Sequence, residues 1–257
     1  MRTDCLYQNS ALAFNPAFAG FPLDADERRD MVVSIVTVAL NEEEGLPRVL
    51  DALPLDAIRQ MGHEPQVIVV DGGSTDKTRQ VAHGRALVIE GPRGYGSQYR
   101  HGFAHARGEI IATLDADASY PAEMIADLVS LLINDDLDML SVDRFADISP
   151  DAMSALHHFG NRMLTLCANT LFGLRLRDSQ SGMWVLRRDF IPRLRLERSG
   201  MAFSEELKIE GFRKGRAREV PGRYRSRAGQ AKIRSWRDGL GNLSFLFVKW
   251  VREHLFG

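Results

Sequence analysis

Asp115-Ala116-Asp117 closes an apolar run, Ile110 to Leu114. Two carboxylates one residue apart offer hard oxygen ligands, which suit Mg2+ or Mn2+ shared with a phosphate-bearing substrate. A cation there would neutralise charge on a departing diphosphate. The competing reading is a polar loop whose acids cap the next helix, and placement at a strand end favours the metal. Three more polar clusters follow apolar runs: Asn41-Glu42, Asp71-Gly72-Gly73-Ser74-Thr75-Asp76 and Arg93-Gly94-Tyr95-Gly96. Asp71 suits a ribose or base, and the glycines after it let backbone approach a ligand closely. The same segment also reads as a tight turn in which Ser74 or Thr75 caps a helix. Glu43 and Glu44 fit the first turn of a helix, where acids meet the dipole favourably, which leaves Asn41 and Glu42 as the ligand candidates. Arg93 lies in a flexible basic loop suited to cover a diphosphate, or in a solvated glycine turn.

These clusters need elements to hold them. The runs at 31–38, 67–70, 86–90, 110–114 and 139–142 have the β-branched, apolar character of buried strands. Helical spacing fills 43–53, 75–82, 98–106 and 121–133 between them. The alternation predicts an α/β fold with a mostly parallel sheet flanked by helices. In such sheets ligands bind at the carboxyl ends of the strands, where all four clusters fall. Past Pro150 the alternation stops: a long helix to Phe172, a strand at 183–186, a helix at 204–214 and a short strand at 218–220 are expected. A basic loop with Arg223, Arg225, Arg227, Lys232 and Arg234 precedes a closing helix. The domain reading is an N-terminal arm over 1–30, a body over 31–235 and an amphipathic helix over 236–257. Within the body, 31–143 is the nucleotide-binding half and 144–235 the acceptor-side half.

Composition narrows the function. The 257 residues carry 33 basic and 34 acidic side chains, so the basic excess of a nucleic-acid binder is missing. Cys5 and Cys167 form neither a disulfide framework nor a metal spacing, which favours a reduced, cytoplasmic setting. No apolar run reaches the roughly 18–20 residues of a membrane span, and no signal peptide is read. Dinucleotide, P-loop, nucleophile-elbow and His-Glu-x-x-His patterns are all missing.

Six ordered stretches carry a resemblance: VVSIVTVALNEE (32–43), VVDGGSTDKT (69–78), GPRGYGSQYRHGFAHARGEIIATLDAD (91–117), GNRM (160–163), DSQSGMWVLR (178–187) and RAGQAK (227–232). From Met31 to about Arg234 the chain resembles the family-2 glycosyltransferases, and within them the polyprenyl- or dolichyl-phosphate mannose synthase-like branch. The resemblance implies a GT-A fold, a nucleotide-diphosphate sugar donor such as GDP-mannose or a UDP-hexose, Mg2+ or Mn2+, and inversion at the anomeric carbon. It places Asn41, Glu42 and Asp71 at the nucleoside and Asp115 and Asp117 at the metal and diphosphate. Arg144 and Arg162 resemble cations that face an acceptor phosphate, and Arg227 and Lys232 a basic loop over the donor. The chain departs from the branch at Leu40, where a Tyr is usual, and at Gly72, Ser119 and Ala231.

The implied acceptor is a polyprenyl phosphate, already ionised near neutral pH and needing positioning more than a base. A hydroxyl acceptor would need one, with Glu205 or Glu206 as the candidate. A non-catalytic nucleotide-sugar-binding protein is the reading from another class. The closing helix, with Leu243, Phe247, Trp250 and Val251 beside Lys249 and Arg252, fits an interfacial helix at the inner face of a membrane. It equally fits core packing or a contact between copies of the chain.

Overall fold

Val32–Ala39 (β1) is apolar on both faces because it lies inside the sheet with helices above and below. A computed structural model describes residues 30–229 and 235–255. Glu64–Asp71 (β2) pairs parallel to one side of β1 and Ile110–Asp115 (β4) to the other, with Leu87–Glu90 (β3) outside β2. Trp184–Arg187 (β6) runs antiparallel between β4 and Met139–Ile148 (β5), and Ala217–Tyr224 (β7) closes the edge parallel to β5. The order is β3-β2-β1-β4-β6-β5-β7.

Period-two alternation divides the strand side chains between two cores. Val33, Ile35, Val69, Ile110, Ala112 and Leu114 face Gly45–Ala52 (α1), Leu55–Gln60 (α2) and Ile125–Asn134 (α5). Val36, Val38, Ile68, Val70 and Ile111 face the opposite way, onto Tyr95–His105 (α4) and Phe203–Lys214 (α7). The short helix Thr78–Ala82 (α3) follows the β2 turn. A third cluster forms where Ala155–Phe172 (α6) and Ser235–Leu255 (α8) pack together and onto α7, through Leu164, Ala168, Phe172, Ile209, Phe245 and Leu246. Ser154 caps α6, accepting from the His157 amide, and Gly173 ends it at φ 66°.

Beyond longer strands at β2 and β7, which cover Glu64–Asp71 and Ala217–Tyr224 where 67–70 and 218–220 are expected, two elements differ from the sequence expectation in an informative way. Leu55–Gln60 is helical although only Ile58 of it is buried, so it carries too little periodicity to be seen. β5 continues to Ile148, past the Val142 expected as its end, because Asp143 and Arg144 are buried within it and find partners there. The strands from β5 onward extend the first sheet, and the described residues belong to one compact unit that begins at Met31. Among the described residues no helix is long and apolar enough to cross a membrane.

Candidate active site

Parallel pairing aligns the strand ends. Ala39 lies opposite Asp71 and Val38 opposite Asp115, so the two acids flank the end of β1. Because β6 runs the other way, its start arrives at the same edge and brings Gly182 against Asp115. A Cβ on Gly182 would sit 2.3 Å from the Tyr95 hydroxyl and 3.2 Å from both Asp115 oxygens, so only glycine fits.

The β2 end is a hydrogen-bonded turn. Asp71 is fully buried and accepts from the Ser74 amide at 3.2 Å, the Gly73 amide at 3.3 Å and Arg79 Nε at 2.6 Å. Burial pushes this carboxyl up, but the bonds from Ser74 and Arg79 outweigh it and hold it below its ordinary value. In this structure the Asp71 oxygens organise the turn at the end of β2. Asn41, at φ 54°, reaches across from β1, accepts from the Thr75 amide at 2.7 Å and donates its own amide to the Ser74 hydroxyl oxygen at 2.8 Å. Asn41 is exposed and Glu42 is buried beside it, its amide donating to Thr78 Oγ1.

The Asp117 turn is more constrained. Ser119 donates its amide (3.0 Å) and hydroxyl (2.6 Å) to Asp117 Oδ1, while Ala118 takes φ 60°, a conformation rare for a residue with a Cβ. That leaves Asp117 Oδ2 facing Arg227 at 3.3 Å, and the same guanidinium nitrogen lies 3.2 Å from Glu42 Oε1. The Ala228 amide donates to the Asp117 carbonyl, and the Arg225 amide to that of Ser119, so the basic loop runs over the turn. Behind it, α1 starts at Gly45, where a Cβ would lie 2.5 Å from the Ala116 carbonyl oxygen. Gly45 and Ser119 were missed by motif reading: their roles are contacts with the Asp117 backbone and carboxyl, which no linear pattern displays.

Asp115 Oδ1 accepts from the Tyr95 hydroxyl at 3.0 Å and the Tyr99 hydroxyl at 3.2 Å. Burial, then the neighbouring Asp117 charge, raises its pKa to about 7 against the pull of the two phenols. The Arg93–Gly96 segment is not the flexible turn expected. Tyr95 opens α4, and a Cβ at Gly94 or Gly96 would meet the Ser199 or Arg198 carbonyl at 2.6 or 2.4 Å. Arg93 itself is exposed in the loop just before it.

On the other side of the sheet edge, Arg144 makes a two-pronged ion pair with Asp178, Nε to Oδ2 at 2.6 Å and a second nitrogen to Oδ1 at 2.9 Å. Asp178 is fully buried. Burial raises its pKa, yet the Arg144 charge and bonds bring it down to about 2. In this structure Arg144 is thus engaged by Asp178 as an internal clamp. Arg162, in contrast, is exposed on α6, its guanidinium 5.6 Å from the Phe145 ring. Glu206 Oε2 accepts the Glu197 and Arg198 amides, both at 2.8 Å, so it holds that loop in place of acting as an available base. Glu205 is fully buried and pushed well above its ordinary pKa by burial. Lys232 lies outside the described residues.

The acids fit a divalent cation of the kind that keeps most of its coordination for water and substrate. Asp117 and Glu42 already converge on one positive charge, with Asp115 close to Asp117. Among the described residues no cluster of three or more His, Cys, Asp or Glu gathers as a ready-made metal cage.

Residues 34–195 match the family described as Glycosyl transferase family 2. The low-salt glycan biosynthesis hexosyltransferase Agl6 of Haloferax volcanii is 34% identical over 231 residues, 88% of this chain and 55% of its own. A dolichyl-phosphate hexose transferase of the same organism is 30% identical over 211 residues, 80% of this chain and 89% of its own. The chain therefore spans little more than half of the first relative and most of the second. In structure it resembles glucosyl-3-phosphoglycerate synthase from Mycobacterium tuberculosis, solved with Mg2+ and UDP. That likeness has a TM-score of 0.64 at 21% identity and covers 87% of this chain and 79% of that one. The mostly parallel sheet flanked by helices is thus the GT-A fold.

Proposed function

Because the chain belongs to glycosyl transferase family 2, we propose that it moves a hexose from a nucleotide-diphosphate sugar to a polyprenyl phosphate, with inversion. The observation that carries this is the convergence of Asp117, Glu42 and Arg227 at the strand-end rim beside Asp115. Asp117, aided by Asp115, would hold Mg2+ or Mn2+, which supplies charge neutralisation for the diphosphate leaving group. Arg227, held today by two carboxylates, supplies a cation from the overlying loop, with Arg93 and Lys232 as the further basic candidates. Asn41 and Glu42 border the nucleoside end of the rim. The Mycobacterium tuberculosis neighbour binds UDP with Mg2+, and one Haloferax relative is named for dolichyl phosphate; both support the reading.

The state of the glutamates favours a phosphate over a hydroxyl acceptor. Glu206 is engaged by two amides and Glu205 is fully buried, so neither candidate is presented to an incoming acceptor. A phosphate oxygen needs no base: it attacks the anomeric carbon, the carbon–oxygen bond to the diphosphate breaks, and the nucleoside diphosphate leaves with the bonding pair. Arg162 is a cation exposed on α6, and Arg144 acts as a positioning residue through Asp178. The test is transfer of labelled sugar from GDP-mannose or UDP-glucose, with Mn2+, to a polyprenyl phosphate or the matching polyprenol in detergent. Label in the phosphate alone is expected. Equal label in the alcohol, or none in either lipid, would overturn the reading.

A further inference from the structure

Each acid of the Asp115-Ala116-Asp117 turn has one oxygen engaged by protein hydroxyls. Asp117 Oδ1 is held by Ser119 at 2.6 Å, and Asp115 Oδ1 accepts from Tyr95 at 3.0 Å and Tyr99 at 3.2 Å. Among the described residues nothing donates to Asp115 Oδ2. Asp115 is also partly open to solvent, whereas Ala116 beside it is buried. A phenol keeps its proton through the neutral range and so remains a donor to this carboxylate. Two donors on one oxygen stop the carboxylate from turning and leave the other oxygen for a ligand.

The phenols are themselves fixed. Tyr99 is fully buried, its ring centroid 5.1 Å from that of Trp184 and stacked on Phe203 at 6.1 Å. Tyr95 packs edge-on against Tyr99 at 4.9 Å. The start of α4 around it is held by the 197–199 loop: the Ser97 amide donates to the Ser199 carbonyl at 3.2 Å, and Glu206 accepts the Glu197 and Arg198 amides. Gly182 closes the remaining side, since a Cβ there would strike the Tyr95 hydroxyl.

Packing alone does not call for the two hydroxyls, because phenylalanine rings would fill nearly the same space. What they add is the hold on Asp115. Groups that orient a metal-binding carboxylate in this way carry about 10- to 100-fold of the metal affinity. We infer that Tyr95 and Tyr99 are positioning residues for the divalent cation, locking Asp115 Oδ1 so that Oδ2 is the oxygen offered alongside Asp117. This deepens the proposed sugar transfer and rests on its metal.

The experiment is a titration of Mn2+ into the full chain, followed through the electron paramagnetic resonance signal of the free ion. It is run alone and with UDP or GDP, well below Tm, for wild type, Tyr95→Phe, Tyr99→Phe and the double variant. Tyr95→Phe should bind Mn2+ about 10-fold more weakly, Tyr99→Phe by a smaller factor in line with its longer bond, and the double variant most weakly. Tm should stay near wild type in all three. Hydroxyls with a merely structural role would instead lower Tm and leave the Mn2+ affinity of the folded protein unchanged. Unchanged or tighter Mn2+ binding by the double variant overturns the inference while the metal reading stands. A wild type that takes up no Mn2+, with or without nucleotide, overturns both.

Discussion

Two guanidinium–carboxylate contacts, one at the strand-end rim and one between β5 and the segment before β6, are built differently. Arg227 offers a single nitrogen to Glu42 and Asp117 at 3.2 and 3.3 Å and keeps a quarter of its side chain exposed. Arg144 grips Asp178 with two nitrogens at 2.6 and 2.9 Å, in a site where the acid has no exposure at all. Long, shared contacts at a partly open edge yield to an incoming anion and cation at small cost. A short, two-pronged pair inside the protein cannot open without stranding a charge. The rim contact is thus open to rearrangement by ligands, whereas the Arg144–Asp178 pair is scaffold, and substitutions should separate the two.

The largest effect is expected at Arg144→Met, which leaves Asp178 charged and buried. Chemical denaturation should show a loss of about 3–5 kcal/mol, and a loss within that of a surface substitution would break the comparison. Next comes Asp117→Ala. Turnover should fall roughly 100- to 1,000-fold, the usual cost of removing one preorganised electrostatic partner, while Tm stays near wild type. A matching fall in Tm would make the rim as structural as the clamp.

Acid should distinguish the regions too. Asp178 is held near a pKa of about 2, below its unfolded value, so its stabilisation is complete above the ordinary carboxylate range and fades as pH falls toward 2. Denaturation midpoints measured from pH 5 to 2 should drop by on the order of 2 kcal/mol through this group, a component absent from Asp178→Asn. Gly182→Ala, which presses a methyl against Tyr95 and Asp115, is expected to cost about 1–3 kcal/mol and to weaken donor binding. Arg85→Ala, at the exposed pair with Asp51, should change stability by less than about 1 kcal/mol.

The same contrast explains what could be read from the chain alone. The rim is built from short motifs at strand ends, and strand alternation announces both, so Asp115, Asp117 and Asn41-Glu42 stand out as residues in a row. The sheet itself followed from apolar runs and intervening helices. The clamp joins residues 34 positions apart, and Arg144, read by resemblance as a cation facing an acceptor phosphate, gives no sign in sequence of its pairing with Asp178. Likewise Tyr95 reads as part of a glycine-rich loop and Tyr99 as part of a helix, and only the fold turns their hydroxyls onto Asp115. Gly45 looks like an ordinary helix start, because the backbone it must clear comes from another strand. Leu156, Phe159 and Leu166, exposed on α6, read in sequence only as part of a long helix, since periodicity reports amphipathicity but not which face is covered.

The most direct measurement is calorimetric titration of GDP-mannose, UDP-glucose and UDP-N-acetylglucosamine into wild type and Asp117→Asn, each with and without Mn2+. The account predicts that one donor binds wild type only when the metal is present, and that the substitution abolishes this without lowering Tm. Donor binding that ignores Mn2+, or that survives in Asp117→Asn, would contradict it.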